Sequence, residues 1–429
     1  MIDFLKLLSL KNRFNRDVVW NILSLAILGA SGMITNSIIL VFQGPGSLGI
    51  FNQVFAFFIV ASQISVGGLQ FSALKYCSHE QEHVERCSVI VSSALILVTL
   101  LGTIICVTFF FAKDYIGEIW SPQVAKGLVF AVPGFLFFSL NKVMLMSLNG
   151  LRYMRAFAIF QASRYLLILS GVLIIIRLDY PGEYLPLSLT FAEIVLFIIL
   201  FLYTNIKVFP IQFRFSSEMQ DWFRRHISFG SRGFLSGTLI ELNTRVDILL
   251  LGYFLSDASV GIYSFASTFA EGFAQLSNVI RQNIDPLLGK AFAENNMARI
   301  KEIATKIRKT FYPIMISLGV LLIAGFPVLI KVIGSGKDIW QSWGVFAILV
   351  AGIVIPCGYR PFLAILLLGG RPGTFTMLIA FSAVSNIILN VILIPVLGLY
   401  GSAVATTIVY ILEAFAIIFL ARKLFHIKL

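Results

Sequence analysis

Charge is the first scarcity in this chain. Only 13% of its 429 residues are Asp, Glu, Lys or Arg, against 58% that are hydrophobic. A soluble domain of this size needs about twice that share of charge on its surface, so a water-soluble globular fold is excluded. Cysteine is scarce as well. Cys77, Cys87, Cys106 and Cys357 fall on short loops or inside apolar runs, which suggests neither a disulfide framework nor a metal set. The four His residues have no ligand spacing. No activated nucleophile, metal signature or phosphate loop is present, which argues against an enzyme and implies no cofactor.

What the chain does have is long apolar runs. Twelve segments of membrane-crossing length are legible, at about 18–42, 48–74, 87–112, 124–148, 157–176, 185–206, 229–254, 259–289, 310–330, 342–368, 375–394 and 400–421. The expected fold is an all-α polytopic membrane protein of about 12 transmembrane helices. Most of the 33 Lys and Arg residues fall before span 1, after span 12 and in every second loop. The opposite side holds only Lys113, Lys126, Arg177, Lys331 and Lys337. The positive-inside rule then places both termini in the cytoplasm. The net charge of +12 marks an anionic leaflet rather than nucleic acid. No cleavable signal is expected. The first 16 residues, with Phe4, Leu5, Leu7 and Leu8 among Lys6, Lys11 and Arg13, read as a basic interfacial helix.

The two halves repeat each other. Ser47-Leu48-Gly49-Ile50-Phe51 opens span 2, and Ser259-Val260-Gly261-Ile262-Tyr263 opens span 8. Asn149-Gly150 ends span 4 and Gly369-Gly370 ends span 10, while Glu193 in span 6 has a counterpart in Glu413 in span 12. This predicts an N-terminal six-helix lobe at 1–206, a cytoplasmic linker at 207–228 and a C-terminal six-helix lobe at 229–429. Repeats of even span number enter the membrane in the same orientation, so a central cleft is expected between them. Amphipathic stretches at Cys77–Arg86 and Ala291–Lys309 read as cytoplasmic surface connectors.

Span 8 carries the plainest functional pattern. Ser264, Thr268, Glu271, Gln275, Asn278, Gln282 and Asp285 follow at steps of four and three, which places all seven on one helix face. Carboxylates and amides are costly in hydrocarbon, so such a face points to a wet route through the membrane. Lys142, Arg164, Arg281 and Arg360 lie at similar depth in spans 4, 5, 8 and 10, with Arg232 shallower in span 7. Guanidinium and ammonium groups placed there suit the phosphate oxygens of an anionic headgroup. Lys142 and Arg232 can equally snorkel to the interface, and Arg281 can pair with Asp285. Arg164 and Arg360 have no acidic residue within their own helical turns.

In span 7, Glu241 and Arg245 stand four apart and can neutralise each other, while Asp247 falls on the opposite side. Asp247, Glu271 and Asp285, together with the Glu241–Arg245 pair, are candidates for coupling to H⁺ or Na⁺. Glu193 and Glu413 are read as internally paired. Asn21, Ser24, Ser31 and Thr35 in span 1 and Gln53, Gln63 and Gln70 in span 2 suit sugar hydroxyls or helix–helix hydrogen bonds equally well. The candidate substrate-binding set is Arg164, Arg360, Arg281, Lys142, Arg232, Gln275, Asn278 and Gln63.

Leu48-Gly49-Ile50-Phe51, the six-plus-six spans, and the run Asn386…Asn390…Pro395-Val396-Leu397-Gly398-Leu399-Tyr400-Gly401-Ser402-Ala403 carry a resemblance. The chain resembles the polysaccharide-transporter branch of the multidrug/oligosaccharidyl-lipid/polysaccharide exporter superfamily, and within it the O-antigen flippases. The likeness covers nearly the whole chain, but its motifs are loose and mark no binding residue. It implies movement of undecaprenyl-pyrophosphate-linked oligosaccharide repeat units across a bacterial inner membrane by alternating access. The implied partners are the lipid-linked substrate, membrane lipids, a polysaccharide polymerase and a chain-length regulator. Drug or cation antiporters of the superfamily share the architecture but are expected to carry more carboxylates than cations in the cavity. Peptidoglycan-precursor flippases tend to have two further spans. A membrane polysaccharide polymerase needs a sizeable periplasmic loop, which the stretch from Lys113 to Gln123 is too short to supply.

Overall fold

The computed structural model describes residues 13–213, 216–334 and 338–427, so the expected N-terminal interfacial helix lies almost wholly outside the described residues. Among the described residues thirteen α-helices follow one another, with no strand. They are α1 Arg13–Val66, α2 Leu69–His79, α3 Cys87–Ile119, α4 Pro122–Gly150, α5 Met154–Arg177, α6 Leu187–Lys207, α7 Ser217–Phe254, α8 Asp257–Ala293, α9 Met297–Gly334, α10 Gln341–Val354, α11 Ile365–Leu368, α12 Pro372–Leu397 and α13 Leu399–Phe425. Among the described residues eight stretches are long and apolar enough to cross a membrane by length and composition. α7 and α8 fall short of that measure because of their polar residues, and α10 because of its length. Together with the break in α1, the pattern accommodates about 12 crossings.

The helix boundaries follow local chemistry. Gly44 breaks α1 with φ 88° and ψ 175°, a conformation a side chain disfavours, and Pro45 follows it. Ser121 caps α4 by accepting a hydrogen bond from Val124 N, with Pro122 in the first turn. Span 10, expected as one helix over 342–368, is interrupted. α10 stops at Val354, and the chain then passes through a 3₁₀ turn at Arg360–Phe362 before the short α11. Pro356 and Pro361 explain the interruption, because neither supplies the backbone N–H that a continuous helix requires.

The chain divides into two compact units. One contains Met1–Gln43 and Ile50–Glu241, the other Gly44–Gly49 and Leu242–Leu429. In the first, α4 is central and packs against α2, α3, α5 and α6. In the second, α13 packs against α10 and α12, and α10 against α8 and α9. Apolar burial alone gives helices little reason to associate in lipid, so close backbone approach matters. The repeated motif glycines achieve it inside the second unit. A Cβ on Gly49 would overlap the Asp257 carbonyl, and one on Gly261 would overlap the Pro45 carbonyl.

The stretch Ala291–Lys309 is not a separate surface connector. Its residues from Met297 onward form the first turns of α9. Ile300, Ile303 and Ala304 are buried against Leu288, Phe362, Leu366 and Ile417, while Arg299 and Lys301 face out. The amphipathic pattern is therefore real, but its apolar face meets protein rather than a lipid surface. The earlier stretch, Cys77–Arg86, is the end of α2 followed by a turn and a 3₁₀ segment.

Candidate functional site

Each unit carries polar clusters on its central helices. In the first unit, Phe138, Asn141 and Lys142 share one face of α4 through their spacing. Lys142 Nζ donates to Gln63 Oε1 of α1 at 2.6 Å and lies 3.6 Å from Glu241 Oε1 of α7. Arg164 of α5 stands across Phe138. Its guanidinium carbon is 4.3 Å from the ring centre, and Lys142 Nζ is 5.5 Å from it. Two cations thus share one aromatic ring, a favourable contact for each.

Arg164 is held by Glu193 of α6. Its Nε lies 2.6 Å from Glu193 Oε1 without hydrogen-bond alignment, and its NH2 group donates to Oε2 at 3.3 Å. Asn141 completes the site by donating to Glu193 Oε2 at 2.8 Å and to its backbone carbonyl at 2.9 Å. The two ion pairs differ in access. The side chains of Arg164 and Glu193 are 9% and 1% exposed, those of Lys142 and Glu241 18% and 35%. Lys142 is therefore the more accessible of the two cations.

The second unit repeats the theme with the donors exchanged. Glu413 of α13 lies 3.4 Å from Arg360 Nε and accepts from Ser382 Oγ at 3.4 Å. The Arg360 guanidinium sits 3.8 Å over the Tyr410 ring. Around Glu193 the span-4 position supplies the neutral amide, Asn141, and span 5 the cation. Around Glu413 the span-10 segment supplies the cation, Arg360, and span 11 the neutral hydroxyl, Ser382. Both glutamates are internally paired, as their sequence positions suggest. Arg164 and Arg360 find across helices the acidic partners they lack along their own turns.

Asp247 has a different environment. Its carboxylate accepts from Thr406 Oγ1 at 2.5 Å, Asn390 Nδ2 at 3.0 Å and Tyr263 OH at 3.1 Å. Asn390 also donates to Asn386 Oδ1, and Asn386 donates to Asn243 Oδ1 at 3.3 Å. Among the described residues no cation is ion-paired to Asp247. Tyr263, Asn386, Asn390 and Thr406 were not candidate site residues on sequence. A signal existed, because Asn386 and Asn390 stand four apart on one face of an otherwise apolar span.

The α8 stripe opens onto accessible space through only part of its length. Ser264 is buried, whereas Glu271, Gln275 and Gln282 are exposed and Thr268, Asn278 and Asp285 half-buried. Asn278 donates to Gln275 at 2.9 Å. Arg281 and Asp285 are both half-buried on this face, and Asp285 Oδ1 is buried without a hydrogen-bond partner. Arg232 is exposed and donates to Ser228 Oγ at 3.3 Å. Arg245 is half-buried. The Asn21 side chain lies outside the described residues. The described residues bring Lys142, Gln63, Arg164 and Glu241 together in one cluster, and Asp247 with α12 and α13 in another.

A family model described as polysaccharide biosynthesis protein matches residues 15–292. The chain belongs to this family. Its membership is in keeping with the polysaccharide-transporter branch that its sequence resembles. Among solved structures, it is similar to the lipid II flippase MurJ in an inward closed conformation, with TM-score 0.76 and 17% identity over 94% of this chain and 87% of that one. An inward-facing multidrug resistance MATE family transporter matches with TM-score 0.78 and 15% identity over 93% and 94%. A superfamily transporter from Pyrococcus furiosus, whose binding pocket is described as of reverse polarity, matches with TM-score 0.63 and 15% identity over 98% and 97%. At these identities the likeness is one of fold. No curated protein sequence matches. The fold that the chain shares with these solved structures is one that membrane transporters and flippases adopt.

Proposed function

We propose that the protein flips undecaprenyl-pyrophosphate-linked oligosaccharide repeat units from the cytoplasmic to the periplasmic leaflet by alternating access. The observation that carries this reading is the Lys142 cluster, set in a chain of the polysaccharide family. A pyrophosphate presents several anionic oxygens, and Lys142 offers a charged donor anchored by Gln63. Glu241, at 3.6 Å and partly exposed, is the counter-ion such a headgroup displaces. Arg164 stands behind Phe138 as a second, more deeply held cation.

Asp247 is the residue proposed to carry the coupling ion. A carboxylate surrounded by hydroxyl and amide groups can bind H⁺ directly, or Na⁺ once those neighbours turn oxygen lone pairs toward it. The working location is the bacterial inner membrane, with the termini in the cytoplasm as the Lys and Arg distribution suggests. A polymerase and a chain-length regulator acting after transport are the expected partners.

The deciding experiment is a deletion strain assayed for surface polysaccharide and for lipid-linked repeat units on the inner leaflet. Loss of the former with accumulation of the latter, reversed by the wild-type chain but not by Lys142→Ala, supports the reading. Normal polysaccharide without accumulation would sink it.

A further inference from the structure

At the turn from α3 to α4, the first unit has a cavity of about 460 Å³ that neither the Lys142 cluster nor Asp247 uses. Lys113, Asp114 and Glu118 line it from the last turns of α3, and Lys126 lines it from the first turns of α4, with apolar wall from Pro122 and Val129. Two ammonium and two carboxylate groups balance, so the cavity as a whole selects neither a simple anion nor a simple cation. Lys126 is already committed to Glu183 at 2.6 Å and lies 5.3 Å from the Tyr184 ring centre. Lys113 Nζ rests 4.9 Å from the Phe110 ring centre. Among the described residues no ion pair engages Lys113, Asp114 or Glu118. One cation and two carboxylates remain for a ligand.

The face of α3 that leads to this cavity is apolar and open. Leu100, Ile104, Val107 and Phe111 recur at helical spacing and are 59%, 60%, 50% and 78% exposed. The same spacing, continued, reaches Asp114 and Glu118. A stripe suited to hydrocarbon therefore runs into a zwitterionic cavity. Tyr115 and Trp120 stand at the end of α3, and Tyr180 and Tyr184 lie 5.2 Å apart between α5 and α6, the aromatic composition of a membrane–water boundary.

We propose that this cavity seats the headgroup of a phosphatidylethanolamine-type lipid, with an acyl chain along the α3 stripe. The phosphodiester oxygens face Lys113, and the primary ammonium donates its three hydrogens to Asp114 and Glu118. A choline headgroup has no N–H to donate, and a glycerol headgroup has no cation. The inference concerns a bound membrane lipid and is independent of what the protein transports.

The test uses the purified full-length protein in detergent, titrated with dihexanoyl phosphatidylethanolamine, phosphatidylcholine or phosphatidylglycerol while thermal unfolding is followed. The ethanolamine lipid is expected to stabilise at concentrations about tenfold lower than the other two. Asp114→Asn with Glu118→Gln is expected to erase that preference, and Lys113→Ala to weaken all three lipids. These side chains lie at the surface, so the variants retain the packed helices. Equal stabilisation by all three lipids, or a preference that survives the double substitution, overturns the proposal. Free phosphoethanolamine acting as well as the lipid also overturns it, because the bilayer stripe would then contribute nothing.

Discussion

Arg164 and Glu193 meet across α5 and α6 as a nearly closed ion pair, with Asn141 filling a further acceptor site on the carboxylate. Truncating one partner leaves the other charge buried and unpaired, a cost of about 3–5 kcal/mol. Arg164→Ala alone is therefore expected to lower the unfolding temperature sharply. Arg164→Met combined with Glu193→Leu, which replaces both charges with apolar volume, is expected to restore it. Export by the stable double variant then separates two roles. If Arg164 only holds α5 to α6, export returns; if it also binds the headgroup, export stays low while folding recovers.

Lys142 gives the sharper functional prediction because it is the more accessible cation. Loss of a charged hydrogen bond is worth about 1.5–3 kcal/mol, which corresponds to about 10- to 100-fold in binding. Lys142→Gln is expected to reduce binding of a soluble prenyl-pyrophosphate analogue by that factor, with the unfolding temperature little changed. Glu241→Gln is expected to act in the opposite direction, since it removes the carboxylate that competes with the anion. Isothermal titration of both variants checks the pair of signs. Unchanged binding in both would remove the cluster from the substrate route.

The sequence makes the crossings and the repeat readable because a bilayer imposes length and hydrophobicity on each segment independently. It also exposes Gly49 and Gly261 as equivalents, and the structure brings them together. Pairing across helices is not readable in the same way. Arg164 finds Glu193 at a separation of 29 residues, and Asp247 finds Thr406 at 159. Periodicity within a helix carries no information about which neighbour will face it. The α8 stripe illustrates the limit. Its common face was legible, but only the packing of Ser264 and the exposure of Glu271 show where along that face access begins.

Asp247 is expected to govern coupling rather than substrate affinity. Asp247→Asn keeps the shape and two hydrogen-bonding atoms but removes the charge. Transport in vesicles is expected to lose its dependence on the imposed ion gradient, while binding of the lipid analogue stays within about twofold of wild type. Asn390→Ala removes one donor from the shell and is expected to shift the ion concentration needed for half-maximal transport by about tenfold. Measuring flux against Na⁺ at fixed pH, then against pH at fixed Na⁺, identifies the ion. A variant that remains gradient-dependent would move the coupling site elsewhere.

His226 lies in the first turns of α7, ahead of the expected membrane crossing. Its Nε2 hydrogen bonds the Ile90 carbonyl at 2.9 Å, so Nδ1 is left to accept from Ser72 Oγ at 2.8 Å. Burial beside Tyr76 and Trp222 holds the imidazole neutral and lowers its pKa to about 4. Two cations stand beside this aromatic group: Arg225, whose guanidinium carbon lies 4.7 Å from the Trp222 ring centre, and Lys75, whose Nζ lies 5.4 Å from the Tyr76 ring centre and 4.8 Å from that of Phe229. The folded pKa lies below the unfolded value of about 6.5, so the neutral ring contributes its full stability above that pH. The contribution falls as the pH drops toward about 4, with about 2 kcal/mol lost by pH 5. Unfolding temperature measured from pH 7.5 to 4.5 is expected to decline more steeply for the wild type than for His226→Gln. The curves converge at low pH, where the wild type has lost its advantage. Parallel curves across the range would show that His226 does not set the acid limit of this end of the first unit.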